Sequence, residues 1–158
     1  MSTVISSTVG QTEAGYLSLA DCLAISPFAR FLNIQPRIDA DCVVLKLCFA
    51  EHHIGNPMIR ALHGGIVASL CELSASTLLA FQTRATSMPR TLSHNISYLR
   101  STIAADCYAQ ASVERIGRRT ATLSARAWQE DVENPVAISR LTFRTKGVFD
   151  VSDRTPPD

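Results

Sequence analysis

The chain has no CxxC pair, no long run of like charge and no lysine or arginine before Arg30. Its five cysteines, Cys22, Cys42, Cys48, Cys71 and Cys107, are scattered and odd in number. That argues against a zinc knuckle or a disulfide framework and for reduced thiols. The start lacks both the basic end of a secretory signal and the arginines of a transit peptide, so a cytoplasmic protein is expected. With a net charge of +1 there is no electrostatic footprint for nucleic acid or an anionic membrane. His52 and His53 have no third ligand at an informative spacing, so no metal is expected. Six Phe, three Tyr and one Trp are too few to imply an aryl-specific pocket. The longest apolar stretch, Ile66 to Phe81, contains Glu72, three serines and Thr77. It is shorter and more polar than a membrane span of ~20 residues, and it reads as a buried helix.

What is present fits one domain. At 158 residues the chain can bury a core of its own. Residues 1–15 are rich in Ser and Thr and read as a tail, 16–150 as the domain and 151–158 as a second tail. Tyr16 to Leu23 permits a short helix, stopped near Ser26-Pro27. Ile34 to Phe49 holds two β-rich runs broken by Asp39 and Asp41. The segment EHHIGNPMIRALHGG reads as a loop of the kind found at functional sites. IVASLCELSASTLLAF follows as a helix apolar on nearly all sides. LSHNISYL, CYAQASVERI, TATLSARAW and Ala137 to Phe149 then read as strands. Gly117-Arg118-Arg119 and Glu133-Asn134-Pro135 are turns between them. A strand pair, one helix and about four antiparallel strands make an α+β domain with the sheet curled round the helix.

Glu72 is the one charged residue between Gly64 and Thr83. Ser69, Glu72 and Ser76 fall on one polar stripe of the helix. Burial there would make Glu72 a base or nucleophile; the plainer alternative is a stripe facing solvent or a subunit interface. Gly64-Gly65, where the helix begins, is either a tight turn or a place where free N–H groups meet developing negative charge. His63 would donate to a ligand or orient the loop. Cys71 adjoins Glu72 but points about 100° away, which disfavours a Cys–His nucleophile. Arg100, Arg115, Arg118 and Arg119 are either phosphate grips or solvated turns. Gly64 and Glu72 are eight residues apart, ~12 Å along a helix. An oxyanion donor and a base must both lie near one reacting centre. If both residues act, a second helix must run antiparallel beside the first, as in a two-fold dimer.

GNPMIRALHGGIVASLCELSAS resembles the signature of the hotdog-fold acyl-CoA thioesterase superfamily, closest to its PaaI-like, phenylacetate-pathway branch. The resemblance runs from about Phe28 to Lys146 and takes in Tyr98-Leu99-Arg100 and Gly117-Arg118-Arg119. It implies an α+β hotdog fold, a curved antiparallel sheet wrapped round one long helix, assembled as homodimers and often as tetramers. It implies hydrolysis of acyl-CoA without a cofactor. Gly64 would polarise the thioester carbonyl, with Gly65 beside it. Glu72 of a partner subunit would be nucleophile or general base, assisted by Ser76. His63 and Asn56 would position thioester and water, and Arg100 with Arg118 or Arg119 would hold the CoA phosphates. The glutamate is similar to that of the 4-hydroxybenzoyl-CoA-type enzymes. Asn56 lies seven residues before His63, where the family pattern has six, and Pro57 takes the expected place. Two other classes are weaker: a non-catalytic acyl-CoA binder has no need of the acid, and a hotdog dehydratase has a different His and acid arrangement.

Overall fold

The computed structural model describes residues 17–39 and 42–145. The expected tails, the Asp41 break, Lys146 and the end of the strand drawn to Phe149 lie outside the described residues. Two short helices come first, α1 (Leu19–Ala24) and α2 (Pro27–Phe31). Ser18 and Ser26 cap them, accepting from the N–H groups of Asp21 and Ala29. The second helix departs from expectation. Pro27 not only ends one helix but opens the next, because proline's fixed φ and missing N–H suit a first helical position.

Strands β1 (Ile34–Asp39) and β2 (Cys42–Leu47) pair antiparallel. The expected loop is more ordered than its composition suggests. It holds a 3-10 turn (Glu51–His53) and a small ladder of β3 (Ile54–Asn56) and β4 (Ala61–Leu62). Helix α3 (Gly64–Gln82) follows, then β5 (Arg90–Tyr98), β6 (Cys107–Ile116), β7 (Thr120–Trp128) and β8 (Ala137–Arg144). The main sheet is six-stranded and antiparallel, in the order β1-β2-β6-β7-β8-β5. This is the hotdog arrangement, with one long helix against the sheet.

Period-two alternation decides which face meets α3. On β7 the buried positions are Ala121, Leu123, Ala125 and Ala127; on β8 they are Ala137, Ser139, Leu141 and Phe143. Ala109, Ala125, Ala127 and Ala137 are small and buried, which lets α3 lie close to the strands, while Leu45, Leu47, Leu123 and Leu141 fill the same core. Each fully buried leucine contributes about 1.5–3 kcal/mol of transfer free energy. Helix α3 is long and apolar enough to cross a membrane, but Val67, Leu70, Cys71, Ala75 and Leu79 are buried in the core. At its far end Cys22 of α1 packs with Ala80 and Ala85. Cys22, Cys48, Cys71 and Cys107 are free thiols.

Strand β5 forms one margin of the sheet. A bulge between Thr91 and Ser93 changes which residues point inward. Strict alternation would put Leu92 on the same face as His94. Instead Leu92 is 54% exposed and Thr91, opposite the buried Phe143, turns toward α3.

Candidate functional site

The first turn of α3 is built by His63. Its backbone is extended and its Nδ1 accepts from the Gly65 N–H at 3.0 Å, making His63 the helix cap. The Ile66 N–H donates to the His63 carbonyl. The N–H of Gly64 has no acceptor among the described residues. It is the open donor of a helix N-terminus, the kind that binds a developing oxyanion. Across it stands Tyr98, whose hydroxyl donates to the Gly64 carbonyl at 2.8 Å. Gly55 supports the same turn from behind: a Cβ there would lie 2.5 Å from the His63 Cα. Only glycine lets the β3–β4 ladder approach so closely.

Glu72 sits two turns along α3. Thr91 donates to its Oε1 at 2.6 Å, and its Oε2 faces His94 Nδ1 at 3.9 Å. His94 Nε2 lies 3.0 Å from the Ser139 hydroxyl on β8. Burial holds the His94 pKa below the usual imidazole value, opposed by the Glu72 carboxylate. In the single chain the Glu72 side chain is 42% exposed, so the burial expected from its apolar neighbours is not provided by its own subunit. Those neighbours point elsewhere: Cys71 is fully buried, and burial pushes its thiol up to about 11, which leaves it an inert neutral group.

The Ser76 hydroxyl donates to the Leu73 carbonyl at 3.2 Å, not to Glu72. Ser69 likewise donates to the Gly65 carbonyl, so both serines of the polar stripe are spent on the helix backbone. The hydroxyl on the acid comes from Thr91 on β5 instead. Asn56 accepts from the Met58 N–H at 3.0 Å, an Asx turn that shapes the loop. Thr91 and His94 were missed in the sequence. His94 carried a readable signal, a histidine on the face shared with Ile96 and Tyr98, whereas Thr91 reaches that face only through the bulge.

The sheet separates the arginines. Antiparallel register places Arg118 and Arg119, in the β6–β7 turn, at the end of the sheet where β5 starts with Arg90. Arg100 follows the opposite end of β5, next to the Gly64 turn. One chain therefore does not gather Arg100 with Arg118 and Arg119. Gly64 and Glu72 are parted in the same way. Helix α3 runs antiparallel to β5, so Gly64 meets Tyr98 and Glu72 meets Thr91 near the two ends of that strand.

Comparison with known proteins agrees with this architecture. Residues 60–136 match the family model described as thioesterase superfamily. No curated protein matches the chain. Among solved structures, a Bordetella protein of the thioesterase superfamily is 29% identical, with a TM-score of 0.73 over 81% of this chain and 96% of its own. A phenylacetic acid degradation-related protein of Ralstonia eutropha is 21% identical, with a TM-score of 0.66 over 76% of this chain and 91% of that one. A Bacillus halodurans protein solved with CoA is 19% identical, with a TM-score of 0.68 over 80% of this chain and 87% of that one.

Proposed function

We propose that this chain hydrolyses an acyl-CoA thioester at a site shared between two copies, on the premise that residues 60–136 match the thioesterase superfamily model. The observation that carries the proposal is the separation of an open oxyanion donor from a tethered carboxylate. Gly64 offers an N–H with no acceptor among the described residues at the start of α3, and Glu72, two turns away, is held by Thr91 and left half-exposed.

A two-fold axis reconciles them. The point midway between Gly64 and Glu72 on α3 is Ala68. Midway between their β5 partners, Tyr98 and Thr91, lie His94 and Asn95. Antiparallel pairing of β5 with its own copy about that point would set Gly64 of one protomer against the partner's Glu72. The same pairing would cover the free margin of the sheet and the half-exposed Leu92, Tyr98 and Leu99. It would also bring Arg100 of one protomer to the end of the sheet where its partner carries Arg118 and Arg119. Cations from both chains could then grip the phosphates of one CoA, as the CoA found with the B. halodurans protein suggests for this fold.

In the reaction the Gly64 N–H would stabilise the oxyanion as the thioester carbonyl is attacked. Glu72 would take the proton of the attacking water, or attack directly as a nucleophile. His63 fixes the turn that aims the donor; Gly65 is committed to His63, and Asn56 shapes the approach loop. No cofactor is required. A cytoplasmic location suits the free thiols. The test is thiol release from a panel of short, long and aromatic acyl-CoAs by wild type and Glu72→Ala. Turnover that collapses in the variant is expected. Undiminished turnover would remove Glu72 from the mechanism, and no turnover with tight CoA-ester binding would favour a non-catalytic binder.

A further inference from the structure

The inner face of the sheet beneath α3 is mostly alanine and leucine, yet a line of polar groups crosses it next to Glu72. His94 is largely covered, its side chain 15% exposed, and it has a partner on each side. Its Nε2 is tied to Ser139, which is 5% exposed. Its Nδ1 faces Oε2 of Glu72, whose other oxygen is already taken by Thr91. A polar line of this kind costs desolvation and contributes little to a core that leucine would fill.

We propose that His94 is a positioning residue for Glu72: anchored by Ser139, its ring stands beside the Oε2 side of the carboxylate and leaves it free when neutral, and ties it up as an ion pair when protonated. This rests on the reading of Glu72 as the working carboxylate. At 3.9 Å the contact is too long for a hydrogen bond that would occupy Oε2, but short enough for a charge on the ring to act strongly on it. The carboxylate selects the tautomer with its proton on Nδ1, so Ser139 donates to Nε2. Oε2 then keeps lone pairs for a water. Once the ring gains a second proton, Ser139 must turn to accept, and the imidazolium attracts Glu72 and draws Oε2 into an ion pair. Helix α3 presents Glu72 and the neutral Cys71 to the ring, and β8 presents Ser139. Burial keeps the ring neutral at ordinary pH, so the working form is the one that leaves Glu72 available.

Two measurements test this. The first is NMR titration of the His94 imidazole in wild type and Glu72→Gln, which reads the coupling without any turnover. The His94 pKa should fall when the carboxylate is lost, and an unchanged titration would overturn the proposal. The second is the pH profile of kcat/KM. In His94→Gln the acid limb should move to lower pH and kcat should fall by up to about 100-fold, with KM changing less. An acid limb that coincides with that of wild type would overturn it. Glu72→Ala separates the two ideas. Retained activity there would sink the role of Glu72 itself; lost activity with an unmoved His94→Gln profile would sink only the role of His94.

Discussion

The Thr91 hydroxyl donates to Glu72 Oε1 at 2.6 Å, and it does so because a bulge turns Thr91 toward the helix. The carboxylate is therefore positioned from the sheet, not from its own helix. Removing that hydroxyl leaves the fold but loosens the acid.

Thr91→Val keeps the shape and deletes the donor. Activity on the preferred acyl-CoA should fall by about 10- to 100-fold, mostly in kcat, since misplacing a reacting group by ~1 Å carries that penalty. Thr91→Ser should recover most of it. Steady-state kinetics of the pair decide the matter, and an unaffected Thr91→Val would mean that Glu72 is oriented by other contacts.

Tyr98→Phe removes the hydroxyl that ties the Gly64 carbonyl to β5. The loss should cost about 0.5–1.5 kcal/mol of stability, the usual worth of one hydrogen bond. kcat/KM should fall as well, because the first turn of α3 is freed beside the oxyanion donor. Urea unfolding and kinetics on the same preparation check both expectations.

His53 is completely buried, with Nδ1 accepting from the Ala50 N–H and Nε2 without a partner among the described residues. Burial, reinforced by His52, lowers its pKa, and burial lowers that of His94 too. The unfolded chain then binds these protons more readily than the folded one. Stability should be full above the unfolded histidine value of about 6.5 and should decline as pH falls from there toward the folded values. Thermal melts at pH 7.5 and 5.5 test this; a melting temperature that does not fall would show that neither ring resists protonation.

Asp106 accepts from the Phe49 N–H and pairs with Lys46 at 2.7 Å. The Lys46 hydrogen bond, then that backbone N–H, hold its carboxyl below the usual range. Its contribution is present above the unfolded value of about 3.9 and is lost as pH falls through the folded one. Asp106→Asn should be destabilised at neutral pH, modestly because the pair is partly exposed. The difference from wild type should vanish in acid, as denaturation curves at pH 7 and pH 3 would show.

Much of this architecture was legible because periodicity carries it. The apolar stripe of α3 and the alternation in β7 and β8 follow from burial on one face, and the glycines and histidine at the helix start could be read as a unit. The rest depended on contacts that sequence spacing does not encode. Pro27 reads as the end of one helix and in the structure also opens the next, whose Ala29 is buried. The bulge at Thr91 breaks the period-two rule for one residue, which hid the partner of Glu72. Ser76 looked well placed on the helix stripe, but its hydroxyl goes to the Leu73 carbonyl. Arg100 and Arg118 seemed one group until register set them at opposite ends of the sheet.

The most direct test of a shared hydrolytic site mixes two inactive variants. Gly64→Pro deletes the N–H that has no acceptor, at a first helical position that tolerates proline, and His63 already has the ψ of 127° that a following proline prefers. A Cβ there would sit 3.3 Å from the Tyr98 ring, so that ring must give by a few tenths of an ångström. Glu72→Gln removes the base. Each variant alone should release almost no thiol from acyl-CoA. Unfolded together and refolded in equal amounts, they should regain about one quarter of wild-type activity, because half the dimers are mixed and each mixed dimer has one intact site. A mixture as inactive as its components would contradict a site built from Gly64 of one protomer and Glu72 of the other.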